Sequence, residues 1–78
     1  MSKKIKIIWD FYGDKAEKTA LHHEIHLKEF MEKHQLEILN SGVQSAADFH
    51  FMAFLTIDEK NVVVVRDALK PHRAFVVE

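Results

Sequence analysis

The chain has no cysteine, and only two of its 78 residues are glycine and one is proline. Without cysteine, a disulfide framework, a thiolate zinc site and a cysteine nucleophile are all excluded. The absence also fits a reducing compartment, so we expect a cytoplasmic protein. Because glycine and proline are scarce, the chain has few breaks, and we predict a single domain over residues 1–78.

The sequence also lacks an excess of charge of either sign and a long hydrophobic run. It has 11 basic and 12 acidic residues, with a formal net charge of −1, whereas a nucleic-acid-binding domain usually shows a basic surplus or stripe. Its apolar stretches are far shorter than the about 20 residues of a membrane-spanning helix. We therefore expect neither nucleic acid nor a membrane as a partner.

Hydrophobic periodicity predicts four strands and two helices. The strands are expected over Lys4–Phe11, Val43–Ala46, Phe49–Ile57 and Ala74–Glu78. The first helix is expected from about Lys15 to between His34 and Leu39, and the second from a cap at Asp58 to about Lys70. Pro71 then prevents the second helix from continuing.

Three local signals bear on the ends and nature of the helices. Asp14, with Glu17 three residues later, predicts a capping box at the start of the first helix. The segment 40–42, Asn-Ser-Gly, predicts its end. The four consecutive valines at 62–65 favour a strand by propensity. We predict a helix there, because the first and last of them share one helical face with Leu69.

This β-α-β-β-α-β order resembles the ferredoxin-like fold, at the level of architecture only. The resemblance implies an α+β protein, with a four-stranded antiparallel sheet in the order 4-1-3-2 and two helices on one face. Many small proteins similar to this one dimerise through the open face of the sheet and form a dimeric α+β barrel. No functional residue is carried over from the resemblance, since fold alone does not give function.

Strand alternation places Ile8, Met52 and Phe54 on the open face of the sheet. A soluble monomer rarely exposes an apolar patch of this kind, and a chain of this size is only marginally stable alone. We therefore expect a homodimer with these three residues in its interface. The alternative is that the patch is shielded within one chain by a loop or by the stems of Lys4 and Lys6.

Asp10 and His50 share the open face, on strands that are antiparallel neighbours in this architecture. A register that places Ile8 near Met52 would also place Asp10 beside His50. A carboxylate hydrogen-bonded to an imidazole fixes its tautomer and could make it a general base or a ligand anchor. The alternative is a purely structural ion pair at the rim of a dimer interface.

The first helix carries the segment His22-His23-Glu24-Ile25-His26. His22 and His26 lie one turn apart, so both imidazoles could bind one divalent metal ion, with Glu29 as a third ligand. His23 and His26, three residues apart, are the competing pair. No other cofactor is expected. The alternative is a solvated helix face, with His23 as a hydrogen-bonded histidine packed on the sheet.

A small cationic group, Lys70, His72 and Arg73, follows the second helix. These residues could bind an anion such as phosphate or a carboxylate. More often, such residues interact with the last carbonyl groups of a helix.

Three functions therefore remain open. The first is a non-enzymatic homodimeric module that binds a partner or a small-molecule ligand, and it requires least from the residues. The second is a small dimeric barrel enzyme that uses Asp10 and His50 as an acid–base pair. The third is a metal-binding protein that uses His22, His26 and Glu29.

Overall fold

The structure is a computed structural model, and it describes residues 3–77. Its strands are β1 (Lys4–Tyr12), β2 (Asn40–Ala47), β3 (His50–Asp58) and β4 (Arg73–Val77), and its helices are α1 (Ala16–Lys33) and α2 (Val62–Leu69). A short 3-10 turn, Glu59–Asn61, joins β3 to α2. Neither helix in the described part of the chain is long and apolar enough to span a membrane.

The four strands form one antiparallel sheet in the order β2-β3-β1-β4. This is the order implied by the resemblance to ferredoxin-like proteins, so the α+β architecture is confirmed. The buried core combines residues of α1 and α2 with every second residue of the two central strands. Its members are Ile7, Trp9, Ala20, Leu27, Met31, Ala53, Leu55, Ile57 and Val65. Both helices therefore cover the same face, and the other face of the sheet is left open.

The helix α1 begins and ends differently from the sequence prediction. Its N-cap is Lys15, and no side chain caps the helix, so the predicted capping box of Asp14 and Glu17 is wrong. The helix ends because Gln35 takes a left-handed backbone conformation with a φ of 55°. This turn lets the Leu36 N–H donate to the Met31 carbonyl at 2.8 Å. The segment 40–42 therefore lies in β2 and not at a helix end.

The four-valine segment is helical, as predicted. The Asp58 side chain accepts a hydrogen bond from the Lys60 N–H at 3.0 Å and so starts the turn that leads into α2. Val65 is completely buried, and this anchoring against the sheet outweighs the strand propensity of the valines. Lys70 ends the helix in a left-handed conformation immediately before Pro71.

The turn between β2 and β3 lies one residue later than the sequence indicates, because β2 continues to Ala47. Phe49 lies in the turn with a left-handed φ of 59°, so β3 begins one residue later than predicted. Further along, the Phe54 ring packs so closely over Gly42 that a Cβ there would lie 3.0 Å from a ring atom. Glycine at this position is therefore part of the packing of the open face. In β4, the strand begins at Arg73, and the predicted end at Glu78 lies outside the described residues.

Candidate functional site

The pairing of β1 with β3 decides which side chains meet on the open face. Ile8 lies opposite Phe54, Asp10 opposite Met52 and Tyr12 opposite His50. The observed register differs by two residues from the one, considered above, that places Ile8 beside Met52. A shift of two preserves the face of every side chain, because the side-chain period of a strand is two. Asp10 and His50 remain diagonal neighbours and reach each other.

Asp10 is the centre of a hydrogen-bonded cluster with His50, His72 and Arg73, which we call the Asp10 cluster. Its Oδ1 lies 2.8 Å from His50 Nε2. Arg73 donates from Nη2 to Oδ1 at 2.8 Å and from Nε to Oδ2 at 3.0 Å, a forked pairing. The carboxylate is enclosed, with a side-chain exposure of 9%. The sequence predicted the approach of His50 and did not predict that of Arg73.

Electrostatics keep this carboxylate ionised. Burial by itself would raise the pKa of Asp10, but the hydrogen bonds from His50 and Arg73, together with their charges, outweigh burial and lower its pKa. A carboxylate in this state accepts hydrogen bonds and is a poor proton donor near neutral pH. The geometry thus fits an anchoring group, and a catalytic role for Asp10 and His50 stays a prediction.

Arg73 also changes the exposure of the open face. It begins on β4 opposite Ile8, and its Nη2 lies 2.9 Å from Met52 Sδ on β3, so its side chain runs across β1. Ile8 is consequently only 2% exposed, and Met52 and Phe54 are half-buried. The expectation that Ile8 is exposed on this face is therefore wrong. A long side chain that covers apolar surface with its stem is the physical reason.

His72 forms hydrogen bonds with β1 just beyond the last residue of β1 that pairs with β4, which is Ile8. The Nδ1 of its ring accepts a hydrogen bond from the backbone N–H of Asp10 at 2.7 Å. The backbone N–H of His72 donates to the Ile8 carbonyl at 3.0 Å. In the predicted anion site, His72 and Arg73 thus both have other partners, and Lys70 is exposed at the end of α2. Binding of an anion there stays a prediction. Two of the three residues, His72 and Arg73, already form hydrogen bonds with residues of β1.

Aromatic and apolar groups surround the cluster on the open face. The Tyr12 ring stacks on the His50 ring with a centroid distance of 4.3 Å, and Tyr12 is largely exposed. Lys6 Nζ lies 4.4 Å from the centroid of the Phe54 ring, a cation–π contact. Phe75, opposite Lys6 on β4, is 48% exposed. The shielding by lysine considered from the sequence is thus present at Lys6, and the face still exposes two aromatic rings.

The three predicted metal ligands on α1 lie together but do not converge on one point. His22 Nε2 and His26 Nε2 are 2.9 Å apart. Glu29 Oε1 lies 3.0 Å from the other nitrogen of His26, Nδ1. The carboxylate therefore stands behind His26 and not beside the pair of Nε2 atoms. Within residues 3–77, no group of three histidine or acidic side chains could hold a metal ion between them.

His23 lies beneath α1 against the sheet, as predicted, but it is not hydrogen-bonded. Its ring centroid is 5.2 Å from that of Trp9 and 5.3 Å from that of Phe11. Its Nε2 is buried without a hydrogen-bond partner. Burial lowers the pKa of His23, and the charges of His26 and His72 lower it further. His23 is therefore a neutral group in an apolar site.

Two surface cavities lie apart from the Asp10 cluster. One, of about 340 Å³, is lined by the start of α1 and by the β2–β3 turn, including Phe49. The other, of about 350 Å³, lies along the first turns of α1 beside His22. No member of the Asp10 cluster lines either cavity.

No protein family, no curated protein and no solved structure matches this chain. The architecture alone is compatible with many activities. The features that bear on function are therefore the side chains of the open face and of α1.

Proposed function

We propose that this chain is a non-enzymatic homodimeric binding module of the cytoplasm, in which two copies pack the open faces of their sheets together. The observation that carries the proposal is the state of the charges on that face. Its only strongly enclosed carboxylate in the described residues, Asp10, is already neutralised by Arg73 within the same chain. This carboxylate can therefore lose its water in an interface without becoming an unpaired negative charge.

The remaining side chains on the face favour a protein partner. Tyr12 and Phe75 expose their rings, and Met52 and Phe54 are half-buried between them. Aromatic residues and methionine are enriched in protein interfaces, whereas unpaired lysine and acidic residues are depleted there. Lys6 departs from this pattern, although its ammonium group lies over the Phe54 ring, where a cation–π contact offsets part of the cost of removing it from water.

The size of the face suits a second copy of the same chain. Strands about 4.8 Å apart and up to nine residues long give roughly 500 Å² in projection. The accessible area is larger, because side chains stand out of the sheet, and it approaches the about 800 Å² per partner of a standard interface. Two such sheets would pack about 10 Å apart around a two-fold axis, which brings the same patch of each copy together.

An enzyme that uses Asp10 and His50 as an acid–base pair is less well supported. Both oxygens of the Asp10 carboxylate already accept hydrogen bonds, and its pKa is lowered. General acid–base catalysis needs a pKa near the working pH. The cluster therefore fits better as the polar anchor of a binding face.

The dimer can be tested with two neighbouring residues of β4 that point to opposite faces of the sheet. Phe75 is 48% exposed on the open face, and Val76 is 51% exposed on the helix side. We expect Phe75→Glu to weaken dimerisation at least tenfold, because it places a carboxylate in the desolvated interface of both copies. Val76→Glu is the matched control and should leave the dissociation constant unchanged. Analytical ultracentrifugation over a concentration series measures both.

A wild-type protein that stays monomeric at all concentrations would overturn the proposal. Equal weakening by Phe75→Glu and Val76→Glu would also overturn it, since the dimer would then not depend on the open face. Circular dichroism of both variants checks that the sheet is retained.

A further inference from the structure

The structure assigns a second site, on the outer surface of α1: we propose that His22 and His26 bind one divalent transition-metal ion through their Nε2 atoms, with Glu29 as a positioning residue. This differs from the arrangement expected from the sequence, in which Glu29 is a third ligand. The site is on the helix side of the sheet and is independent of the proposed dimer.

The two ring nitrogens already face each other across one turn of the helix. They lie 2.9 Å apart, and the two rings are nearly perpendicular, with centroids 4.5 Å apart. Both side chains are exposed, so an ion can reach the pair without opening the fold. Because both residues lie on a rigid helix of 18 residues, little conformational entropy of the backbone is lost on binding.

Glu29 fixes the protonation of His26 in the form that a metal requires. A carboxylate accepts hydrogen bonds, so the nitrogen of His26 that faces Glu29 at 3.0 Å, Nδ1, carries the proton. In neutral His26 the lone pair is therefore on Nε2, the atom that faces His22. Metal-binding histidines commonly donate their other N–H to a carboxylate in this way, which also makes the ligand more basic.

In the metal-free state, the short distance between the two Nε2 atoms is a hydrogen bond. His22 Nε2–H donates to the lone pair of His26 Nε2, because His26 carries its proton on Nδ1. Metal binding replaces this hydrogen bond when the His22 proton moves to Nδ1. The two imidazoles stay neutral, and two lone pairs point to one ion.

The ligands indicate the class of metal. Imidazole nitrogens suit Ni²⁺, Cu²⁺ and Zn²⁺, and among divalent first-row ions the affinity of a nitrogen site rises to a maximum at Cu²⁺. A site with only two protein ligands therefore favours Ni²⁺ and Cu²⁺, which bind imidazole strongly. Water would occupy the remaining positions around the ion.

Calorimetric titration with NiCl₂ in a non-coordinating buffer tests the site. We expect one Ni²⁺ per chain for the wild type, and at least a thirtyfold loss of affinity in His26→Gln. His34→Gln is the matched control: His34 is exposed at the other end of α1 and contacts Phe30. This variant should bind Ni²⁺ like the wild type. Equal binding by His26→Gln and the wild type, or no binding by the wild type, would overturn the site.

The role of Glu29 needs a measurement beyond affinity. We expect Glu29→Gln to weaken Ni²⁺ binding by about tenfold, the lower end for such partners because Glu29 is exposed. In the metal-free protein, ¹⁵N NMR of the imidazole should show the His26 proton on Nδ1 in the wild type and a mixture of tautomers in Glu29→Gln. The same tautomer mixture in both proteins would exclude the positioning role.

With Cu²⁺, electron paramagnetic resonance should show coupling to two nitrogens in the wild type and to one in His26→Gln. Two-nitrogen coupling that persists in this variant would place the copper elsewhere.

Discussion

Replacing Arg73 by methionine is expected to lower the free energy of unfolding by about 2–3 kcal/mol at neutral pH. The variant removes both hydrogen bonds that Arg73 donates to Asp10 and leaves an enclosed carboxylate with His50 as its remaining side-chain partner. Breaking a fully buried pair costs about 3–5 kcal/mol. We expect the lower value because Arg73 itself is half-exposed. Methionine retains most of the apolar stem of arginine, so the decrease in the free energy of unfolding reflects the loss of the charge and its hydrogen bonds. Urea denaturation measures it.

Arg66 provides the matched control for this prediction. It lies 3.4 Å from Asp67, and both side chains are exposed, so Arg66→Met should cost less than about 0.5 kcal/mol. Similar losses in the two variants would show that enclosure of Asp10 has no energetic consequence. The measurement is repeated at two protein concentrations, because a loss carried by the dimer depends on concentration and a loss within one chain does not.

The effect of Arg73→Met should also depend on pH in a defined direction. The native state holds the pKa of Asp10 below its usual value of about 3.9. The stability contributed by the ionised carboxylate is therefore fully present above about pH 3.9 and is lost as the pH falls through the native pKa. The difference between the wild type and Arg73→Met should accordingly shrink in acid. A difference that grows on acidification would contradict this account of the cluster.

The architecture could be predicted from the sequence because its main signals are periodic. Alternation along β1 and β3 separates the core side chains, such as Ile7 and Leu55, from those of the open face. The valine helix could be predicted because Val65 and Leu69 share one side of it. The ends of the helices could be predicted less accurately than the helices themselves. The end of α1 depends on a left-handed Gln35, a conformation that no residue type at this position signals.

The candidate site was predictable only in part, for a related reason. Strand parity assigns Asp10 and His50 to one face, and any register shifted by an even number of residues keeps them there. The role of Arg73 depends on where β4 begins and on its pairing with Ile8, neither of which is marked in the sequence. The position of Glu29 behind His26 depends on side-chain rotamers, which spacing along a helix does not determine.

The second large effect is expected at His23, where replacement by leucine should stabilise the fold. His23→Leu exchanges a buried nitrogen without a partner, between Trp9 and Phe11, for an apolar group of similar size. An unsatisfied buried polar group costs about 1–3 kcal/mol. We therefore expect His23→Leu to raise the free energy of unfolding by about 1 kcal/mol at pH 7.5. Thermal and urea unfolding at one protein concentration measure the change.

The same residue should make the wild type less stable in mild acid. The native state lowers the pKa of His23 through burial, and the charges of the neighbouring His26 and His72 add to this. The unfolded chain, with a histidine pKa of about 6.5, then binds more protons than the native chain, so stability falls as the pH drops through about 6.5 and until the native pKa is reached. His23→Leu should flatten the stability profile between pH 7.5 and pH 5, whereas His34→Gln should keep the wild-type slope. If the slope survived in His23→Leu, the acid sensitivity would have to come from other groups, and His23 would be a packed ring without electrostatic consequence.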